Sequence, residues 1–405
     1  IELAKKGVVV TKKQEDRINK FKKAFETVNR QKILFLRDWK EGDVIKYSAL
    51  ANTLERISEY GRDEFYKGKT AKILAKFIQD NGGIITEKDL AKYEAKWRIP
   101  TTFQYDDLKV ISMSPPSSGG ICLAQIMNSI ESYDLPTYGH NSVKTMQIIT
   151  EAERRAYADR SHFLGDPDFV SIPTDTLLSK TYSKERMRNF SFKKPTLSED
   201  VSHGNIEIIE SNETTHYSIV DQYGNAVSVT STLNGGYGSK LYSSELGFFL
   251  NNEMDDFSAK VGSPNGFGLI GGVANSIEPG KRPLSSMTPT IVFNTDGKPT
   301  LATGSPGGST IITVVLQTVL NVLAFDMGIA EASSVPRIHH QWLPDQVYFE
   351  SGISNDTLQI LQDMGHTVAK NPRILGATQS IQKGPHSAIF GASDPRRQGA
   401  GAVAE

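Results

Sequence analysis

Apolar and polar positions alternate in two short runs just past the middle of the chain. The first is Thr214-Thr215-His216-Tyr217-Ser218-Ile219-Val220-Asp221. It is led in by the polar residues Glu210-Ser211-Asn212-Glu213, and from Tyr217 on it has the period of a half-buried strand. The second, Ala226 to Leu233, follows Asp221-Gln222-Tyr223-Gly224-Asn225, whose glycine and Asx residues suit a hairpin turn. The pattern predicts a β-hairpin with Thr214 at its mouth and with Thr230 and Thr232, two apart, on one face.

Helical periods dominate before this hairpin. Ala49, Leu54 and Ile57 recur near the helical spacing, and Thr70 to Ile78 repeats the pattern until Asn81-Gly82-Gly83 stops it. A strand from Leu108 to Met113 is turned by Pro115-Pro116-Ser117-Ser118-Gly119-Gly120 into a helix over Ile121–Tyr133. The glycine pair there is read as a steric helix start rather than an anion cradle. A long helix spans Ser142 to Phe163 and ends in Leu164-Gly165-Asp166-Pro167-Asp168, an acidic turn rather than a metal site. Residues 180–213 carry Lys, Ser, Glu and Asn with few large apolar side chains, so an exposed, mobile connection is expected. After it, short strands and Gly/Asn turns run until Ser309 opens a helix through Leu323. Another helix is expected at Thr357–Gln362, capped by Asn355 or Asp356. Helices flanking mixed strands place the chain in the α+β class, and no period of about 20–50 residues recurs.

The 405 residues suffice for two or three domains or one large layered fold. With 45 basic and 46 acidic residues the net charge is -1, so no global field draws nucleic acid or an anionic membrane, and a small-molecule or peptide partner is expected. No run of about 18 apolar residues is present to span a bilayer. One cysteine, Cys122, excludes an internal disulfide and is expected to be a buried structural thiol; no Cys/His pair has zinc spacing, and no metal or cofactor is expected. The chain starts at Ile1 in a Lys-rich amphipathic stretch with neither initiator Met nor signal peptide, and processing or truncation is expected to have removed what came before.

The threonines at the hairpin mouth have two readings. Thr is common in strands for steric reasons. Equally, a hydroxyl at a strand's start, flanked by hydroxyls on the next strand, fits an amino-terminal nucleophile: the chain is cut before Thr, and the freed α-amino group, with a reference pKa of about 7.7–8.0, acts as the nucleophile's base. His216 is not required in that chemistry, and it is read as structural, as are His339 and His340.

Four motifs bear on the choice. They are the stretch from Thr214 to Asn234, then Leu250-Asn251-Asn252-Glu253-Met254-Asp255-Asp256-Phe257-Ser258, then Lys281-Arg282-Pro283-Leu284-Ser285-Ser286-Met287, and then Gly304-Ser305-Pro306-Gly307-Gly308-Ser309. In this order and spacing they closely resemble the γ-glutamyltranspeptidase family. The resemblance reaches back through Pro115–Gly120 and Ala156–Arg160, and forward through His339–Trp342 to Gly391–Arg396, so it covers essentially the whole chain.

The resemblance implies a four-layer αββα sandwich of the amino-terminal nucleophile hydrolase type. It also implies autocatalytic cleavage between Glu213 and Thr214 into a large-subunit portion, 1–213, whose residues 180–213 form the flexible tail, and a small subunit, 214–405. Thr214 would attack the γ-amide of a donor such as glutathione, and water or an amino-acid or peptide amine would resolve the acyl-enzyme. Thr232 matches the hydroxyl that contacts the nucleophile, and Gly307 and Gly308 match oxyanion donors ahead of a helix. Asn234, Glu253 and Asp256 match the positions that hold the donor's ammonium, while Ser285 and Ser286 match those for its carboxylate. By residues alone, Asn251–Asp256 would be a solvated turn. A nucleotide phosphate loop at the glycines is excluded, because Gly-x-x-x-x-Gly-Lys-Ser/Thr is absent. Exported relatives imply a periplasmic or secreted protein.

Two departures stand out. The family's large subunit begins well before the part resembling Ile1, and that piece holds an arginine that pairs with the donor carboxylate; no residue here is assigned that role. Phe267, in the lid loop Lys260–Gly268, stands where many relatives carry a Tyr bonded to the residue matching Asn234, so a looser lid is expected. The alternatives are an amidase or acylase of the same superfamily acting on another acyl group, or an inert, uncut scaffold or fragment.

Overall fold

The structure, a computed structural model, describes residues 1–202, 214–266, 268–384, 388–397 and 399–404. These form two compact units, one of residues 1–97 and 235–252, the other of residues 98–234 and 253–405. The division does not follow the expected 213/214 boundary, because the second unit takes residues from both sides of it. The chain leaves that unit after Asn234 and returns at Glu253.

The first unit is largely helical, with α1 (Lys12–Val28), α2 (Ser48–Tyr60) and α3 (Lys69–Asp80). Thr11 caps α1 in a capping box with Gln14, satisfying two of its free N–H groups. Phe25 and Phe35 both meet Tyr237 edge-on, and Phe249 is stacked on Phe25 and tilted against Phe35, so the 235–252 excursion is tied to this helical unit by aromatic burial. A cavity of about 590 Å³ opens between α3, residues 29–33 and residues 241–245.

The second unit is built on an antiparallel six-stranded sheet. Its strands are β1 (Thr101–Tyr105) and β2 (Leu108–Ser112), then β5 (Thr290–Phe293), β6 (Pro299–Thr303), β7 (Gln379–Lys383) and β8 (Ile389–Ser393), in the order β8-β7-β6-β5-β2-β1. Helices α4 (Gly119–Ile130), α7 (Ile311–Leu323) and α8 (Ile329–Ser334) pack against it, and α5 (Val143–Phe163) lies on α4. Every side chain of α4 is buried, which its run of small and apolar residues allows. Cys122 lies here, fully buried, and burial pushes its thiol up to about 12, which makes it inert.

The hairpin forms as the alternation predicts: β3 (Thr214–Val220) pairs with β4 (Ala226–Thr232), Thr214 opposite Thr232 and His216 opposite Thr230. Asp221 closes the turn by accepting the N–H groups of Tyr223 and Asn225. The faces, however, are reversed from an ordinary half-buried strand. Thr214, His216 and Ser218 turn inward, while Tyr217 and Ile219 are about half exposed. The inward face is polar because it bonds to the six-stranded sheet: Ser218 Oγ donates to Gln379 O at 3.0 Å and Ser228 Oγ to Thr303 O at 2.9 Å. Sheet, hairpin layer and helices make the α+β, αββα type expected.

Helix α5 is buried from Thr145 to Ser161 although it carries Glu151, Glu153, Arg154, Arg155, Asp159 and Arg160. Most of these charges are matched. Arg155 bonds Glu151 at 2.7 Å, and Asp159 accepts from Gln125, Tyr182 and Arg186. The same network corrects the expectation for residues 180–202. Lys180–Arg186 forms a helix, α6, and Arg155 holds Asn189 and Thr196 at 2.7 and 3.0 Å. Ser198 is bonded by Trp342 and Asp345. This part of the stretch is anchored, and residues 203–213 lie outside the described residues. The late helix, α9, runs Asn355–Asp363 with Ser354, rather than Asn355 or Asp356, at its N-cap. The acidic turn is also engaged: Arg98 grips Asp168 through both carboxylate oxygens at 2.6 and 2.7 Å and reaches Asp166 at 3.5 Å.

Behind the sheet, Arg337 and Asp394, both with fully buried side chains, pair at 2.8 Å. Burial alone would raise the Asp394 carboxyl, but Arg337 holds it below its ordinary value. Truncation to Asp394→Ala leaves that arginine buried and uncompensated, and urea denaturation is expected to report a loss of about 3–5 kcal/mol.

Candidate active site

Hairpin register places the expected nucleophile. Because Thr214 and Thr232 are directly opposed, their hydroxyl oxygens lie 3.3 Å apart at the strand mouth. The chain then turns through Asn234 in a left-handed conformation, φ 68°, which Asn tolerates better than most residues, and its N–H donates to Thr232 Oγ1 at 2.8 Å. Thr232 is thereby fixed facing Thr214.

A small cleft surrounds this pair. It is lined by Thr214, Thr232, Asn234, Asp256, Ser285, Ser286 and Gly308, with Leu269, Met287 and Ile311 as its apolar wall. Seven of the ten expected site residues therefore meet in one place. Gly307 precedes Gly308 in the chain, and Glu253 shares a 3-10 turn with Asp256 and acts on it electrostatically, but neither lines the cleft. Phe267 lies outside the described residues; Leu269, just past its loop, lines the cleft. The cleft is small, about 20 Å³. The much larger cavity in the other unit has Ser243 and Ser244 on its wall but none of the expected site residues, and chemistry rather than volume singles out the Thr214 cleft.

The serines are held from behind. Ser117 Oγ donates to Met287 O at 2.6 Å, and Ser118 donates to Ser285 O through both Oγ and N–H at 2.7 and 2.8 Å. A Cβ on Gly119 would sit 2.3 Å from Met287 O, so glycine is needed for this approach, which supports the steric reading of the Gly119-Gly120 pair. Gly307 is at φ 144°, and a Cβ there would meet Thr310 Oγ1 at 2.5 Å. Gly308–Thr310 forms a 3-10 turn leading into α7, which begins at Ile311 rather than Ser309.

His216 is occupied. Its Nε2 lies 3.1 Å from Ser218 Oγ, which spends its own proton on Gln379 O, so Nε2 carries the ring proton and Nδ1 accepts from Thr230. Burial pushes its pKa down to about 4, leaving it neutral. A nearby residue that sequence reasoning passed over is Arg397, whose guanidinium donates to Thr214 O at 2.7 Å and to Thr215 Oγ1 at 3.2 Å. It lies one residue past the matched Gly391–Arg396 stretch, and nothing local to the sequence ties it to Thr214.

A family model described as gamma-glutamyltranspeptidase matches residues 1–404. The chain belongs to the γ-glutamyltranspeptidase family. It is 52% identical over 357 residues to a glutathione hydrolase proenzyme of Escherichia coli (strain K12), covering 88% of this chain and 61% of the relative. It is 41% identical over 411 residues to a glutathione hydrolase proenzyme of Pseudomonas sp. (strain A14), covering 98% and 71%. The chain thus spans about six- to seven-tenths of the length of these relatives. The crystal structure of cephalosporin acylase from Bacillus halodurans matches with a TM-score of 0.84 at 22% identity, over 100% of this chain and 73% of that one, which bears on the fold alone.

The electrostatics of this cleft are unusual for a free surface. Burial, assisted by the charge of Glu253, pushes Asp256 up to about 8, and burial pushes Glu253 up to about 7. Both are raised above their ordinary values of 3.8 and 4.5, so the ligand-free fold is favoured by their protonated forms. That contribution is full below about pH 4 and is lost as pH rises toward 7 and 8. Asp256→Asn cannot ionise, and its melting temperature is expected to exceed that of the unsubstituted protein by a margin that grows from pH 4.5 to pH 8 and then levels, as ligand-free thermal scans would record.

Proposed function

We propose that this chain transfers the γ-glutamyl group of donors such as glutathione to water or to amino-acid and peptide amines. The route is an acyl-enzyme on Thr214, formed after self-cleavage between Glu213 and Thr214. The observation that carries the reading is one cleft combining a hydroxyl pair at a strand mouth, a half-buried carboxyl and two serines, in a chain whose relatives are named glutathione hydrolases.

Once Thr214 is the first residue of its polypeptide, its α-amino group, with a reference pKa of about 7.7–8.0, takes the Oγ proton as Oγ adds to the γ-carbonyl. The engaged, neutral His216 supports this division of labour. Charge developing on the carbonyl oxygen meets N–H groups of Gly307 and Gly308 ahead of α7. Collapse expels the donor's amine with the proton held by the α-amino group and leaves an ester on Thr214, which water or a second amine cleaves by the reverse path. Asn234, Glu253 and Asp256 receive the donor ammonium, and its arrival favours the ionised carboxylates. Ser285 and Ser286 receive the α-carboxylate.

The same cut yields a large-subunit portion, 1–213, and a small subunit, 214–405, and the reading carries with it a periplasmic or secreted protein, as the resemblance implies. An acylase acting on another group is less favoured, because the likeness to cephalosporin acylase is one of fold, whereas the set Asn234, Glu253, Asp256, Ser285 and Ser286 suits a zwitterionic head.

Incubated protein is expected to convert from 44.6 kDa into the two shorter chains and then to hydrolyse γ-glutamyl-p-nitroanilide. Thr214→Ala is expected to stay intact and inactive, and Gly308→Ala to lose about 10²–10³ in kcat. Hydrolysis by the intact Thr214→Ala chain would overturn the reading, and an uncut, inert parent chain would favour a scaffold.

A further inference from the structure

Arg160 lies in the last turn of α5, 3% exposed, and among the described residues it forms no ion pair. Among the described residues its side chain makes two hydrogen bonds. Nε donates to Ser118 Oγ at 2.8 Å and Nη2 donates to Ser286 Oγ at 3.2 Å.

A guanidinium donates only, and this fixes the direction of each bond it makes. Ser118 accepts from Arg160 and passes its own proton to Ser285 O at 2.7 Å. Ser286 likewise accepts from Arg160, so its own proton is left to point elsewhere, and Ser286 lines the cleft beside Thr214. One cation therefore sets the hydroxyl of Ser286 and anchors the backbone of Ser285. A hydroxyl held as a donor, with positive charge behind it, suits an anion and disfavours a cation.

The charge itself also calls for a partner. Burying a guanidinium without a counter-ion costs several kcal/mol. Among carboxylates, Asp256 is the one that acts on Arg160 through space, and burial keeps that group largely protonated near neutral pH. Behind the ligand-free cleft thus stands a cation with no carboxylate at ion-pair distance among the described residues, bonded to the cleft through Ser286.

We propose that Arg160 is a positioning residue that makes this cleft select acyl donors bearing a carboxylate: it presents Ser286 as a hydrogen-bond donor, and the ligand's carboxylate serves as its counter-charge. The inference rests on the γ-glutamyl reading of the cleft and adds to it the group that enforces carboxylate specificity.

The test compares binding of L-glutamate with binding of γ-aminobutyrate, which is glutamate without its α-carboxylate, by titration calorimetry. The unsubstituted protein is expected to prefer glutamate by about 100-fold or more. In R160M and R160K that ratio falls toward one through weaker glutamate binding, while γ-aminobutyrate affinity changes by less than about threefold. With γ-glutamyl-p-nitroanilide the loss appears in KM rather than in kcat. A variant that keeps the full preference for glutamate overturns the role of Arg160. An unsubstituted protein without that preference overturns the γ-glutamyl reading itself, so the two failures are told apart by different arms. R160K retains the buried charge and decides the question if R160M shows no melting transition.

Discussion

The register of one two-stranded hairpin carries the site. Side chains alternate across a strand, so a slip of one residue would turn Thr214 to the outer face and bring Thr215 inward, separating the hydroxyl pair. The register is held at several points along its length: the Asp221 turn at the closed end, His216 bonding Thr230 across the hairpin, and Ser218 and Ser228 binding the sheet below. A hydrophobic inner face would slide more readily, because dispersion contacts are not directional. The polar inner face specifies one alignment by discrete hydrogen bonds, and that accounts for the reversal that leaves Tyr217 and Ile219 outside.

Around this hairpin the second unit places groups that favour folding less than they would favour a ligand. Asp256 and Glu253 are half-buried and resist ionisation, while Arg160 is buried without a carboxylate in contact among the described residues. Each arrangement costs stability in the ligand-free fold. A zwitterion with an ammonium near the acids and a carboxylate near Ser286 would relieve both at once. The surrounding network shows the contrast: Arg155 with Glu151, Arg337 with Asp394 and Arg98 with Asp168 are all matched by contact. Among the described residues, a further unmatched charge is Glu153 on α5, whose carboxyl burial raises well above its ordinary value.

Backbone approach supplies the rest of the geometry. The Ser117–Gly120 turn brings α4 against Ser285–Met287, and it can do so because the glycine at 119 has no Cβ to strike Met287 O. Helix α5 closes the arrangement from behind through Arg160. Thus three segments far apart in the chain, at 117–120, 160 and 285–287, fix two serines, and Arg397 reaches Thr214 from yet another.

The sequence by itself determined the hairpin, the long helices, the α+β class and the family, because these follow from local periodicity, turn chemistry and ordered motifs. It also named the residues that meet at the cleft, through their resemblance rather than through their spacing. It did not determine which face of the hairpin turned inward, since alternation has no sign until a partner layer exists. Nor did it foresee the anchoring of residues 180–202, whose polar side chains read as solvated until Arg155, Trp342 and Asp345 supply partners. The roles of Ser118, Arg160 and Arg397 belong to the tertiary structure alone. A hydrogen bond across more than a hundred residues leaves no local periodicity, and whether a buried charge is matched is known only once the chain has packed around it.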